Sequence, residues 1–357
     1  MRICFLADGG SIHTARWCKH FVEKKYDVHL ITYRDAKIEG VTVHFIDAGI
    51  ISSSGGNWKV ILTVGQVKRV LKSIRPDVLH AQYATSYGLV GALSGFHPYI
   101  VTALGTDVLI SPDQSFLYKM LIRYVLKKAD WITAMSDFMK TKIETLGVSP
   151  GKIAVVMFGI DAKIFNRKGR HLEGGKFVIT STRNFEPVYN HPLFLKALSI
   201  VKDKIPGLEV NMIGDGAARK EIELLAAELE LDQIVKFPGR IPQSKIAETL
   251  NRSHVFVSVS LSDGNNVSLN EAMACGAVSI ASNIPANVQW INEGVNGFLV
   301  PVNDPAKLAE KILDVYYNYE KLQKSTIAYN DVVIPAKALW ENNVAIVENK
   351  YLQLFGK

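Results

Sequence analysis

Long uninterrupted apolar runs are missing from this chain. No window reaches the roughly 18 apolar residues that a membrane-crossing helix needs, so no span is expected. Cysteine is scarce: the 357 residues hold three, Cys4, Cys18 and Cys275, an odd and scattered set without metal-ligand spacing. That pattern fits core packing in a reducing compartment better than a disulfide frame. Internal repeats and low-complexity tracts are absent, which excludes a solenoid. The stretch MRICFLADGG is too short and too soon interrupted for a secretory leader, so it reads as a first strand and places the protein in the cytoplasm.

What is present suits a well-buried globular protein: 48% hydrophobic and 21% charged residues. At 357 residues two domains are expected rather than one core. The net charge of +7 is unevenly spread. Residues 1–170 carry 23 Lys and Arg against 13 Asp and Glu, net +10, and the remainder carries 18 against 21, net −3. A basic half points to an anionic partner, such as a membrane surface, phosphate-bearing lipid or nucleic acid; solvated helix faces would also explain it.

Strand-like and helix-like segments alternate. RICFLA, VHLIT, VTVHFI, DVLHA, YIVTA and WITAMS read as strands, with helices near 13–25, 58–74, 115–128 and 137–146. The charged, glycine-bearing segment 163–176 has no periodicity and reads as a linker. Alternation then restarts with FVITST, LEVNMIG, IVKFPG, HVFVSVS and AVSIAS, and helices near 192–204, 217–230, 243–250 and 268–275. A last helix is expected over roughly 334–353. The pattern predicts an α/β protein of two Rossmann-like, doubly wound parallel-sheet domains, with ligands at the carboxyl ends of the strands. The expected partition is 1–165, 176–333, and a C-terminal helix over 334–357 packing back across the linker.

The most informative string is VSVSLSDGNNVSLNEAMACGAVSIAS, residues 257–282. A strand ends in a polar glycine loop, and a helix starts near Val267 or Ser268. Asn265, Asn266 and Ser268 stand where a helix leaves its first amides unpaired, a site suited to a diphosphate. Asp263 on the loop and Glu271 one turn into the helix are placed to accept hydrogen bonds from sugar and ribose hydroxyls. An ordinary Asp-Gly turn with a helix-start acid is the plainer alternative.

This segment resembles the signature of the family 4 retaining glycosyltransferases, in which two Glu separated by seven residues flank a loop entering an EAMACG helix. Asp263 stands where that family has its first Glu, followed by Gly264, and Glu271 opens Glu-Ala-Met-Ala-Cys-Gly. The resemblance extends along the chain: Met212-Ile213-Gly214-Asp215-Gly216, Val235 through Arg240, Asn292 through Val300, Gly105-Thr106-Asp107, and Gly159-Ile160-Asp161 all have counterparts in order. It implies the GT-B fold, two Rossmann-like domains facing a central cleft. It also implies that Gly214 and the backbone at Arg240 and Ile241 meet the nucleotide, and that Gly264, Asn265, Asn266, Val267 and Ser268 bind the donor. Arg183, after FVITST, corresponds to an arginine that neutralises the donor diphosphate, and its guanidinium fork suits phosphate oxygens. A surface ion pair is its plainer reading. The family's lysine five positions later is replaced by Val188, leaving Tyr189, Asn190 and Arg240 as candidates for the missing donor.

In the first half, the loop Asp8 through His13 has no third glycine at the offset of a dinucleotide fingerprint. It resembles the family's N-terminal glycine loop, which assigns Gly10 and His13 to the acceptor side; His13 is equally a plain helix-start residue. Asp107 is carried over as a cleft residue. His80 reads as a satisfied strand histidine. Two basic amphipathic stretches, from Trp58 to Arg75 and from Phe116 to Lys128, fit helices packed on a sheet or helices lying on a membrane.

The resemblance implies transfer of a hexose or N-acetylhexosamine from a nucleoside diphosphate sugar, UDP-linked by preference, to a hydroxyl of a glycan or lipid-diphosphate-linked acceptor. Retention of configuration and no required metal or other cofactor are part of that expectation, with Asp263, Glu271 and Arg183 as the catalytic set. Peripheral contact of the basic half with the inner face of an anionic membrane is expected, and nucleic acid is not, since no binding module is recognisable. A small soluble acceptor, or a non-catalytic sugar-nucleotide or phosphoglycan binder of the same fold, are the alternatives.

Overall fold

The computed structural model describes residues 1–49 and 58–356. The chain forms two units: Met1–Phe158 with the chain from Val344 onward, and Gly159–Asn343.

The first unit is built on strands β1 (Arg2–Leu6), β2 (Asp27–Thr32), β3 (Thr42–Phe45), β4 (Val78–Gln82), β5 (Tyr99–Ala103), β6 (Trp131–Ala134) and β7 (Ile153–Val155). They pair in parallel in the order β3-β2-β1-β4-β5-β6-β7. Every residue of β4, β5 and β6 is buried, as expected where helices cover both faces of a parallel sheet. The second unit repeats the plan with β8 (Phe177–Ser181), β9 (Leu208–Ile213), β10 (Val235–Gly239), β11 (Val255–Ser258), β12 (Val278–Ser282) and β13 (Gly297–Val300), ordered β10-β9-β8-β11-β12-β13. Its core interleaves Ile179, Val210, Met212, Val257 and Ile280 from the sheet with Leu195, Leu198 and Ile312 from helices. In each sheet the order reverses once, between β1 and β4 and between β8 and β11. Loops leaving those strands diverge, which opens a crevice at their carboxyl ends.

Several elements carry no readable period. The helix Ser86–Ser94 is buried almost all round, so no polar face marks it. β7 is three residues long. The expected final helix is two, Tyr319–Lys337, which contains Pro335, and Trp340–Phe355. The helix Pro305–Tyr317 was unanticipated although its start is well marked: the Asp304 side chain accepts from Lys307 N at 2.9 Å, and Pro305 follows it.

His80 is a core histidine. Its Nε2 pairs with Thr102 Oγ1 at 2.6 Å and its Nδ1 with the Tyr351 hydroxyl of the last helix. Segment 163–176 lies on the second unit. Arg170 donates to Cys275 O at 2.9 Å, Ser253 O at 3.2 Å and Tyr319 Oη at 2.9 Å. Gly159 is required by a close approach: a Cβ there would stand 2.7 Å from Trp340 N, where Ile160 and Leu339 bridge.

Candidate functional site

The switch point of the second sheet gathers the residues that the sequence marks for chemistry. β8 delivers Thr182 and Arg183 at its carboxyl end. β11 delivers the loop that runs through Asp263 to Asn266, which caps the helix Val267–Ala274 by accepting from Leu269 N at 3.1 Å. Arg183 lies between them. Its Nη2 donates to Asp263 Oδ2 at 2.6 Å and its Nη1 to Asn266 Oδ1 at 3.0 Å. Its guanidinium carbon stands 4.2 Å from the centroid of the Tyr189 ring. The two side chains of the ion pair are only 10% and 16% exposed. Arg183 Nε is buried and has no hydrogen-bond partner among the described residues.

Positive and negative groups meet in this arrangement, with Asp263 on the loop and Glu271 on the helix as its carboxylates. A helix N-terminus carries a partial positive charge, and a guanidinium hydrogen-bonded to its cap adds a full one. Asp263 now takes one edge of the guanidinium, and a phosphate that displaced it would find further N–H groups to bind.

The site is stiffened from behind. Asn266 Nδ2 donates to Ser258 Oγ at 3.0 Å and to Asn287 Oδ1 at 2.9 Å, so both polar atoms of its side chain are committed. Asn265 Oδ1 accepts from Trp290 Nε1 at 2.9 Å. Gly264 is buried, and Ser268 Oγ donates to Thr182 O at 3.2 Å. Of the amides expected to be open, that of Val267 turns back to Asn265 O at 3.0 Å. Glu271 is buried on the same helix.

The glycines of the Met212–Gly216 turn have a steric reason. A Cβ on Gly214 would sit 2.3 Å from Arg183 O, and one on Gly216 would sit 2.5 Å from Phe185 O. The backbone of 183–186 therefore lies directly on the turn after β9, cross-braced by Phe185 N to Asp215 O at 3.1 Å and Ala218 N to Phe185 O at 2.9 Å. Gly214 N also donates to Gly239 O at 3.1 Å, which brings the Arg240–Ile241 backbone alongside; Arg240 itself is exposed. Val188 contributes its carbonyl to Leu261 N at 2.8 Å. Asn190 Nδ2 is committed to Val302 O at 2.8 Å. Of the candidates for the missing lysine, Tyr189 is the one in contact with Arg183. The supports from Asn287 and Trp290 were not anticipated, because hydrogen-bonded ties from a separate short helix and the residues just after it leave no periodic trace in sequence.

The remaining marked residues belong to the first unit. Gly10 closes the loop after β1, its N donating to Asp8 Oδ1 at 2.9 Å, and Arg34 packs where a Cβ would be. His13, behind the N-cap Ser11, stacks on Phe158 with centroids 4.1 Å apart. Burial, with the Arg16 charge nearby, lowers its pKa to about 4. Asp107 is fully buried and accepts from the amides of Ala84 at 2.7 Å, Gly105 at 2.8 Å and Leu104 at 3.1 Å. Its carboxylate braces the turns after β4 and β5 from within, and burial raises its pKa against the pull of those amides.

Two doubly wound parallel sheets in one chain are the architecture of GT-B proteins. HepE from Anabaena, solved in complex with UDP-glucose, has this fold: TM-score 0.80, 18% identity, with 99% of this chain and 100% of that chain covered. Residues 2–136 match the family model described as glycosyl transferase 4-like, and residues 162–331 match glycosyl transferases group 1. The chain belongs to this glycosyltransferase family, of the family 4 type. It is similar to an uncharacterized glycosyltransferase of Methanocaldococcus jannaschii, 27% identical over 97% of this chain and 95% of that one. It is also similar to the N-acetyl-alpha-D-glucosaminyl L-malate synthase of Bacillus anthracis, 24% identical over 89% and 87%.

Proposed function

We propose that the protein transfers a hexose or N-acetylhexosamine, with retention of configuration, from a UDP-sugar to a hydroxyl of a glycan or lipid-linked acceptor. The observation that carries this reading is Arg183, held at a helix N-terminus with an unpaired Nε and flanked by a carboxylate. In the donor complex the diphosphate takes the guanidinium, and Asp263, released from its ion pair, accepts from hydroxyls of the sugar. Glu271 accepts from the sugar or ribose. The Gly214 turn and the Arg240–Ile241 backbone meet the nucleoside. As the bond to the sugar breaks, the charge on the leaving diphosphate is stabilised by Arg183 and the start of the Val267–Ala274 helix, groups already in place before reaction. The leaving diphosphate assists removal of the acceptor proton, and no metal ion is required.

The UDP preference is supported by the complex of HepE, and the N-acetylhexosamine option by the name of the B. anthracis relative. That relative also favours a second reading, in which the acceptor is a small soluble hydroxy acid.

A thermal-shift panel of UDP, GDP, ADP and CDP tests the donor assignment. UDP is expected to raise the melting temperature of the wild type, in EDTA as in its absence, and to lose most of that effect in Arg183→Ala. A larger shift with another nucleotide would reassign the base. An undiminished shift in the variant would remove Arg183 from the site.

A further inference from the structure

The helix Phe116–Lys128 of the first unit is apolar on two opposite sides. Its inner side is ordinary: Ile122, Val125 and Leu126 are buried. Its outer side is not. Phe116 is 77% exposed, Leu117 65%, Met120 53% and Tyr124 38%. On a helix turning about 100° per residue these four fill an arc of about 100°, directly opposite the buried three. A helix packed on a sheet normally turns polar residues to that side. Here the outer apolar arc is bordered by Lys119 and Arg123 on one edge and Lys128 on the other, with Lys127 between them, and the helix holds no acidic residue. All four cations are exposed, and the Lys128 ammonium lies 5.8 Å from the centre of the Tyr124 ring.

We infer that this helix face docks the first unit on an anionic phospholipid surface, with Phe116, Leu117 and Met120 entering the acyl boundary and the four cations meeting lipid phosphates. Exposed large apolar side chains inside a ring of cations without acids match the two forces that hold an interfacial helix: burial of apolar area and attraction to negative headgroups. A second copy of the chain fits less well, because a symmetric contact through this face would bring its cations against their own copies. The helix lies in the unit richest in positive charge, which adds long-range attraction to the same surface. This inference does not depend on the donor assignment, since it concerns a different unit and a different ligand.

Flotation of the whole protein with vesicles tests it, using phosphatidylcholine alone and phosphatidylcholine mixed with phosphatidylglycerol at physiological ionic strength. Binding is expected with the mixed vesicles and not with the neutral ones. Two variants separate the forces: Phe116→Ser with Leu117→Ser and Met120→Ser, and Lys119→Glu with Arg123→Glu and Lys127→Glu. Every altered position is exposed, so both variants are expected to fold, checked by an unchanged melting temperature. Each is expected to lower partitioning at least tenfold. Three results would overturn the inference: no binding of the wild type to mixed vesicles, binding undiminished in both variants, or a wild-type dimer in light scattering that the serine variant abolishes while vesicle binding is absent.

Discussion

Arg183 is in contact with three side chains, and each contact has a different consequence. Asp263 and Asn266 hold its two terminal nitrogens, while Tyr189 covers its face. The first two are polar contacts that an incoming phosphate competes with or extends; the third lies on the guanidinium face and uses none of its N–H groups. Tyr189 is therefore the positioning residue in a site that lacks a lysine at Val188. Stacking of a guanidinium on an aromatic ring contributes about 1 kcal/mol. Tyr189→Ala is expected to weaken nucleotide binding about fivefold, whereas Tyr189→Phe, which keeps the ring, stays within about twofold. Isothermal titration of the two variants decides it. Equal losses would show that the hydroxyl matters instead, and no loss in either would leave the stacking without a role. Tyr189 was among the sequence candidates for the missing lysine, but its stacking on Arg183 was not readable beforehand. The motif string located the loop, but which loop residue would meet Arg183 depends on the switch point of the sheet, which only the strand order reveals.

At the scale of elements, the site rests on one stretch of backbone lying on another. The turn after β9 carries residues 183–186, and it can do so because Gly214 and Gly216 have no side chain. Gly216→Ala would put a methyl group 2.5 Å from Phe185 O, an atom that moves only with the backbone behind Arg183. The expected outcome is a stability loss of about 1–3 kcal/mol, with nucleotide affinity reduced at least tenfold. Gly174→Ala, which meets nothing within 4 Å, is the control and is expected to change neither. Denaturant midpoints and titration of the same samples separate the two effects; unaltered affinity in Gly216→Ala would detach the turn from the site. The GDG string was recognisable in sequence, but its steric purpose was not, because the atom it makes room for is a carbonyl 31 positions earlier. Legibility elsewhere followed the same physical line. Two doubly wound parallel sheets could be read from alternating strands and helices, since central parallel strands are near-continuous apolar runs. The Ser86–Ser94 helix was hidden because it is buried on nearly every side, and β7 because three residues cannot show a period. Asp304-Pro305 shows the opposite case, a helix start that was fully written in the sequence and passed over.

At the scale of the whole molecule, each unit keeps a neutral histidine in its interior, and that makes stability depend on pH in a definite direction. Burial lowers the His254 pKa from 6.5 to about 4, aided by the Arg170 charge, and the His80 pKa from 6.5 to about 3. His254 Nδ1 accepts from Val178 N at 3.1 Å, at the second residue of β8, so a proton arriving there displaces a strand hydrogen bond. Between the unfolded and folded values the unfolded chain binds more protons, so stability is complete above about 6.5 and falls as pH drops through the window, levelling below the folded values. By pH 5 the deficit is about 2 kcal/mol for each buried histidine. Asp107 works in the opposite sense in the first unit, since its carboxyl is raised by burial and favours the protonated folded form. The second unit is the cleaner reporter, and there His191, lowered by burial and by Arg183, adds to His254 with the same sign. Amide exchange of peptides covering β8, corrected for intrinsic rates, should show protection falling between pH 7.5 and pH 5.0. His254→Gln, whose side-chain oxygen can still accept from Val178 N, should flatten that fall in β8 while leaving β4 of the first unit unchanged. A β8 response as steep in the variant as in the wild type would place the acid sensitivity of this unit in groups other than His254.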